Sequence, residues 1–185
     1  MPKEDSNGAL VARTLSGDPR AAEALVRRHL RPAYLVALAV LRDVAEAEDV
    51  AQDSFALALG RLETCREPER FAGWLLQIVR RQALNALERA RARGRALERA
   101  APAEPFARGE AEGSALRRQL LAAMARLSAL QREVALLHDL EGWTHAEIAA
   151  ALELTEVASR QHLFQARKAL RALLEGPPEE AHDGP

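Results

Sequence analysis

From Asp43 to Phe55 the chain reads DVAEAEDVAQDSF, with carboxylates at Asp43, Glu46, Glu48, Asp49 and Asp53 and no lysine or arginine. The sign then reverses. Between Ser54 and Ala100 ten arginines, from Arg61 to Arg99, stand against five glutamates. Either the acidic patch and the arginine run serve different partners, or both are ordinary solvated faces of helices. A third group lies near the C-terminus, where Arg160, Gln161, Phe164, Gln165 and Lys168 fall on one side of a helical pattern. Those side chains suit base reading: arginine to guanine edges or phosphate, glutamine to adenine edges, an aromatic ring to a thymine methyl. Any basic amphipathic helix would also show such a face. No phosphate-binding loop, nucleotide-binding glycine motif or HExxH appears, so the chain reads as no enzyme and as holding no cofactor. His138, His145 and His162 share no ligand spacing, which argues against a metal. A single cysteine, Cys65, excludes an internal disulfide; beside Arg66 its thiol would be a candidate for redox chemistry.

Helices must position these groups. The chain is 48% apolar but only 4% aromatic, a palette that favours helix over strand. Asp18 before Pro19 predicts a helix start, and Pro32 predicts a kink or break before the apolar run AYLVALAVL. Asp43 is expected to cap a helix reaching about Leu62, and ETCREPER reads as a loop. Helical spacing returns over Phe71–Ala92 through Trp74, Leu75, Ile78, Leu84 and Leu87. Glycines and prolines between 95 and 113 predict a flexible linker. Beyond it, capping boxes at Ser128 with Gln131 and Thr144 with Glu147 open two further helices. Thr144–Leu152, a break at Glu153–Leu154 and Thr155–Leu174 then have the spacing of a helix-turn-helix. The expectation is an all-α protein of two small helical domains, 1–94 and 114–175, with a disordered tail at 176–185. A net charge of −1 means that nucleic-acid binding would need locally basic surfaces. The polar first residues and the lack of an apolar run near ~18 residues predict a cytoplasmic protein without a membrane span.

Taken in order, these segments resemble an extracytoplasmic-function sigma factor of the sigma-70 family. AEAEDVAQDSF resembles the helix by which that family binds core polymerase, and FAGWLLQIVRRQALNALER its promoter-melting helix. LSALQREVALLHDLEGWTHAEIAAAL with ASRQHLFQARKAL resembles its helix-turn-helix for the upstream element. The resemblance implies RNA polymerase (its clamp helices and flap) and promoter DNA as partners, and often an anti-sigma factor. It implies that Asp49, Gln52 and Asp53, which share one face at i, i+3 and i+4, grip the polymerase. For the downstream element it implies Arg66, Arg70, Phe71, Arg80, Arg81, Asn85 and Arg89. ETCREPER would form the loop that captures a flipped base, with Phe71 and Trp74 the only aromatics near enough in sequence to stack on it. Trp74 reads more readily as core. Upstream readout falls on Arg160, Gln161, Phe164, Gln165 and Lys168. Three positions depart from the family: Arg81 where asparagine is frequent, Glu153 where many relatives turn on glycine, and Ser159 where an apolar residue is expected. The Ser159 hydroxyl is expected to bond back to the Thr155 carbonyl. A helix-turn-helix regulator or helical interaction module working without polymerase is the other reading the residues allow.

Overall fold

The computed structural model describes residues 5–92 and 122–174. The predicted linker at 95–113 and tail at 176–185 lie outside the described residues. The helices given full bounds among the described residues are α1 (Asn7–Leu15), α2 (Pro19–Leu41), α3 (Val44–Leu59), α4 (Phe71–Ala92), α5 (Ala129–Ala135), α6 (His145–Leu152) and α7 (Glu156–Leu174). Residues 122–126 add a further helical stretch, and no strand occurs among the described residues. No described helix is long and apolar enough to cross a membrane.

The predicted caps form. Asp18 accepts from the Arg20 amide with Pro19 at the first helical position, and Asp43 accepts from Glu46. Both capping boxes are closed, at Ser128 with Gln131 and at Thr144 with Glu147. α3 stops at Leu59, earlier than expected, and Leu62 begins a short 3-10 turn; a second such turn spans Pro68–Arg70.

Three features differ from expectation. α2 runs unbroken through Pro32. A mid-helix proline costs about 3 kcal/mol, yet Leu25, Ala33, Val36, Ala37 and Val40 on either side are almost completely buried. Burial of several such side chains at about 1.5–3 kcal/mol for the larger ones outweighs that cost. α1 arises from a segment read only as polar; Ser6 caps it, and it inserts Leu10 and Val11 into the core. The third helix-former, ALQREVALLHDL, is α-helical only to Ala135 and widens into a π-turn over Leu136–Leu140.

α2 is the central mast, flanked by α1, α3 and α4. Phe71, Leu75, Leu76 and Val79 of α4 are fully buried beside it. The second half packs on this bundle: α5 lies against α2, and α6 against α4. Val134, Leu137, Ile148 and Ala151 therefore join the same apolar cluster as Val36 and Leu75.

Candidate functional site

Asp49, Gln52 and Asp53 all stand exposed on the outer face of α3, while Ala51 and Phe55 of the same helix turn into the core. Gln52 lines a groove between α2 and α3, together with Leu30, Arg31, Tyr34 and Glu48. Leu30 remains 42% exposed there, an apolar side chain without cover. Burial, and secondarily the Glu48 charge, push the Tyr34 phenol up. Arg27 lines the groove as well, so its rim carries both signs of charge around an apolar floor.

The loop between α3 and α4 forms a second concavity. Its lining includes Cys65, Arg66, Arg70, Gly73, Trp74 and Gln77, and Ala150 of α6 reaches its edge. Arg66 and Arg70 are exposed, with Arg70 Nε 3.2 Å from Glu67 Oε2. Phe71 is not at this surface. It is completely buried, its ring 5.4 Å from His29 and 5.9 Å from Trp74. As the first residue of α4 it points inward with Leu75, four residues on, so it supports the pocket instead of contacting a base. Trp74, read from sequence as core, is the aromatic that lines the opening. The Cys65 thiol is also buried, which pushes its pKa up, against the lowering that Arg66 beside it suggested.

Along α4, Arg81, Asn85 and Arg89 are exposed, and Arg89 Nε donates to the Asn85 carbonyl at 3.2 Å. Arg80 is engaged elsewhere: its Nε donates to Glu133 Oε2 at 3.1 Å. Glu133 is fully buried on α5, and burial raises its carboxyl to about 7 against the opposing pull of Arg80 and Arg132. Sequence reasoning missed Glu133, since nothing in ALQREVA marks that glutamate as facing another part of the fold.

The helix-turn-helix is formed by α6 and α7. Ile148, Leu152, Leu163 and Ala166 are buried between them. On the outer side Arg160, Gln161, Phe164, Gln165 and Lys168 are exposed, and Phe164 is 68% exposed. Arg160 lies 3.4 Å from Glu156, and Gln165 accepts from Gln131 Nε2 at 3.2 Å. Glu153 adopts the left-handed conformation that the turn demands, with φ 56° and ψ 45°. Ser159 is fully buried, but its hydroxyl does not bond back to Thr155. It meets His145 Nδ1 at 2.9 Å, tying the two helices together where an apolar contact was expected.

Residues 25–93 match the sigma-70 region 2 family, and residues 117–170 match sigma-70 region 4. The RNA polymerase sigma factor SigM of Mycobacterium tuberculosis, of the ECF type, is 30% identical over 172 residues, covering 92% of this chain and 86% of that one. The chain belongs to the extracytoplasmic-function sigma factors. The RNA polymerase sigma factor CarQ of Myxococcus xanthus is 32% identical over 89% of this chain and 95% of its own. RfaY, a probable sigma factor of Xanthomonas campestris, is 36% identical over 74% of this chain, which spans only 36% of that longer protein. Among solved structures, CnrH in complex with the cytosolic domain of CnrY superposes with a TM-score of 0.66 at 28% identity, over 92% of this chain and 98% of that one. RpoE of Bartonella quintana, in complex with the anti-sigma factor NepR, shares the fold with a TM-score of 0.64 at 21% identity, over 83% of this chain and 96% of its own. The two regions this sigma factor shares with its family are the two halves that carry the three faces above.

Proposed function

We propose that this chain directs core RNA polymerase to promoters in the cytoplasm and acts as an initiation factor, not as an enzyme. The observation that carries the reading is the ordered presence of both sigma-70 regions, each bearing an exposed polar face of the kind its task needs. The N-terminal unit (1–94) docks on the clamp helices through Asp49, Gln52 and Asp53. It holds the melted downstream element with Arg66, Arg70, Arg81, Asn85 and Arg89, with Trp74 as the stacking platform in the loop pocket. A flipped base costs a few kcal/mol to unstack, and an aromatic wall supplies about 1–3 kcal/mol of stacking in return. The C-terminal unit (114–175) sits near the flap and reads the upstream element in the major groove through Arg160, Gln161, Phe164, Gln165 and Lys168. The segment at 95–113 joins them, so that two modest sites act on one duplex with the avidity of a tethered pair. An anti-sigma factor is the expected regulator, as the structural relative RpoE was solved with the anti-sigma factor NepR.

The test is run-off transcription with core polymerase across a promoter library. Stimulation is expected, and silence across the library overturns the reading. The triple substitution Asp49→Ala, Gln52→Ala, Asp53→Ala removes only exposed side chains, so stability should change by no more than about 0.5 kcal/mol per site. Polymerase binding should be lost. Unfolding of that variant would assign the three residues to structure.

A further inference from the structure

The exposed side of α7 is not uniform. Arg160 and Gln165 are tied within the chain, the first 3.4 Å from Glu156 Oε2 and the second accepting from Gln131 Nε2 at 3.2 Å. Between them runs a line that neither pair enters. Val157, Gln161, Phe164 and Lys168 are all exposed, and their i, i+4, i+7, i+11 spacing stacks them along one side of the helix. That side lies about half a turn from the buried Ser159, Leu163 and Ala166. Val157 and Phe164 are each 68% exposed, more than any other large apolar side chain among the described residues. A single exposed apolar residue needs no explanation. Two of them on one line of a helix that carries base-reading side chains call for a partner.

Val157 is the second residue of α7, and in a helix-turn-helix the N-terminal residues of the second helix are those that meet base edges. Its two methyl groups can close on the only methyl that a base presents in the major groove, that of thymine. Phe164 lies seven residues on, about 10 Å along the helix axis, or roughly three base-pair steps. Gln161 falls between them with the amide that pairs with adenine. From this line, and resting on the sigma-factor reading above, we infer that Val157 is a specificity-determining residue. With Phe164 it selects an upstream element carrying two thymines about three base pairs apart, and Gln161 selects adenine between them. The cations on this side favour DNA over a protein as the occupant. Lys168 continues the line and Arg160 flanks it, so both meet phosphates beside the bases being read. The exposed pairing of Arg160 with Glu156 is weak enough to be exchanged for such a phosphate.

In the test, the full-length chain and core polymerase transcribe a library of duplex promoters randomised across the upstream element, and the transcribed templates are sequenced. The unsubstituted chain should select two thymines at that spacing. Val157→Ala removes only an exposed side chain and improves helix propensity, so folding is spared. It should relax selection at one of the two thymines and keep the other, and Phe164→Ala should do the converse. On a selected promoter, uracil in place of the thymine that Val157 reads deletes one methyl group. Binding by the unsubstituted chain with core polymerase should then fall about threefold to fivefold in gel-shift competition. The Val157→Ala chain should not distinguish uracil from thymine. Equal binding of the two bases by the unsubstituted chain overturns the proposal, as does a Val157→Ala selection identical to the parent's. A loss spread evenly over all sequences also overturns it, by making the valine a structural contact. Weaker binding of core polymerase by Val157→Ala overturns it too, by placing a protein on the line. Silence of the unsubstituted chain with core polymerase overturns the functional reading, and this proposal falls with it.

Discussion

Phe71 and Trp74 lie three residues apart on the same helix and have opposite employments. Phe71 is wholly enclosed against His29, whereas Trp74 is half-buried at the mouth of the loop pocket. Phe71→Ala should therefore cost about 3–5 kcal/mol in urea unfolding, the range for an emptied aromatic site in a core. Trp74→Ala should cost clearly less stability, yet depress run-off transcription and open-complex formation on a duplex promoter. A pre-melted template should rescue part of that loss. Comparable destabilisation by both variants, with transcription following stability alone, would return Trp74 to the core. The sequence could not separate the two rings because both satisfy helical spacing; only the packing of α2 and α1 against the start of α4 decides which one is covered.

At the scale of elements, the turn between α6 and α7 carries a residue that dislikes its backbone. Glu153 sits at φ 56°, where a Cβ crowds the carbonyl and the cost is roughly 1–2 kcal/mol. Glu153→Gly relieves that strain but adds freedom to the unfolded chain, so a net gain of about 0.5–1 kcal/mol is expected in chemical denaturation. A loss would show that the glutamate side chain contributes more than its backbone costs. Caps were the legible part of this fold. Asp18, Asp43, Ser128 and Thr144 announce their helices because capping needs only a short side chain and a local amide. Pro32 misled because its local cost is visible in sequence and the burial that overrides it is not. α1 was missed because only Leu10 and Val11 mark it as amphipathic. In the candidate site, exposed charged positions such as Asp49, Asp53 and Arg160 fell where periodicity put them. Partnerships across the chain, Arg80 with Glu133 and His145 with Ser159, depend on tertiary approach and leave no local pattern.

At the scale of the whole molecule, two buried groups among the described residues, His29 and Glu133, act in opposite senses as pH falls below neutrality. His29, against Phe71 and Asn7, is held neutral by burial and by Arg28, with its pKa lowered to about 4. The unfolded chain binds that proton from about pH 6.5 downward, so this stability is complete above 6.5 and is lost as pH falls towards 4. Glu133 is raised to about 7. Its folded form keeps a proton that the unfolded chain releases, which favours packing as pH falls from 7 towards its unfolded value. The two partly cancel in the native protein. His29→Gln isolates the first: between pH 7 and pH 5 it should lose about 2 kcal/mol less stability than the unsubstituted chain, measured by denaturant unfolding at each pH. An identical pH slope would mean that His29 is not buried neutral. α1 has a practical bearing on all such work. The family match begins at residue 25, beyond α1. Yet α1 seals the core with Leu10 and Val11, and Ser6 Oγ donates at 2.7 Å to Glu69 in the 3-10 turn that leads into α4. A recombinant fragment trimmed to the matched region would discard a moored lid, baring the core beneath it and unfastening the loop that shapes the pocket beside Trp74.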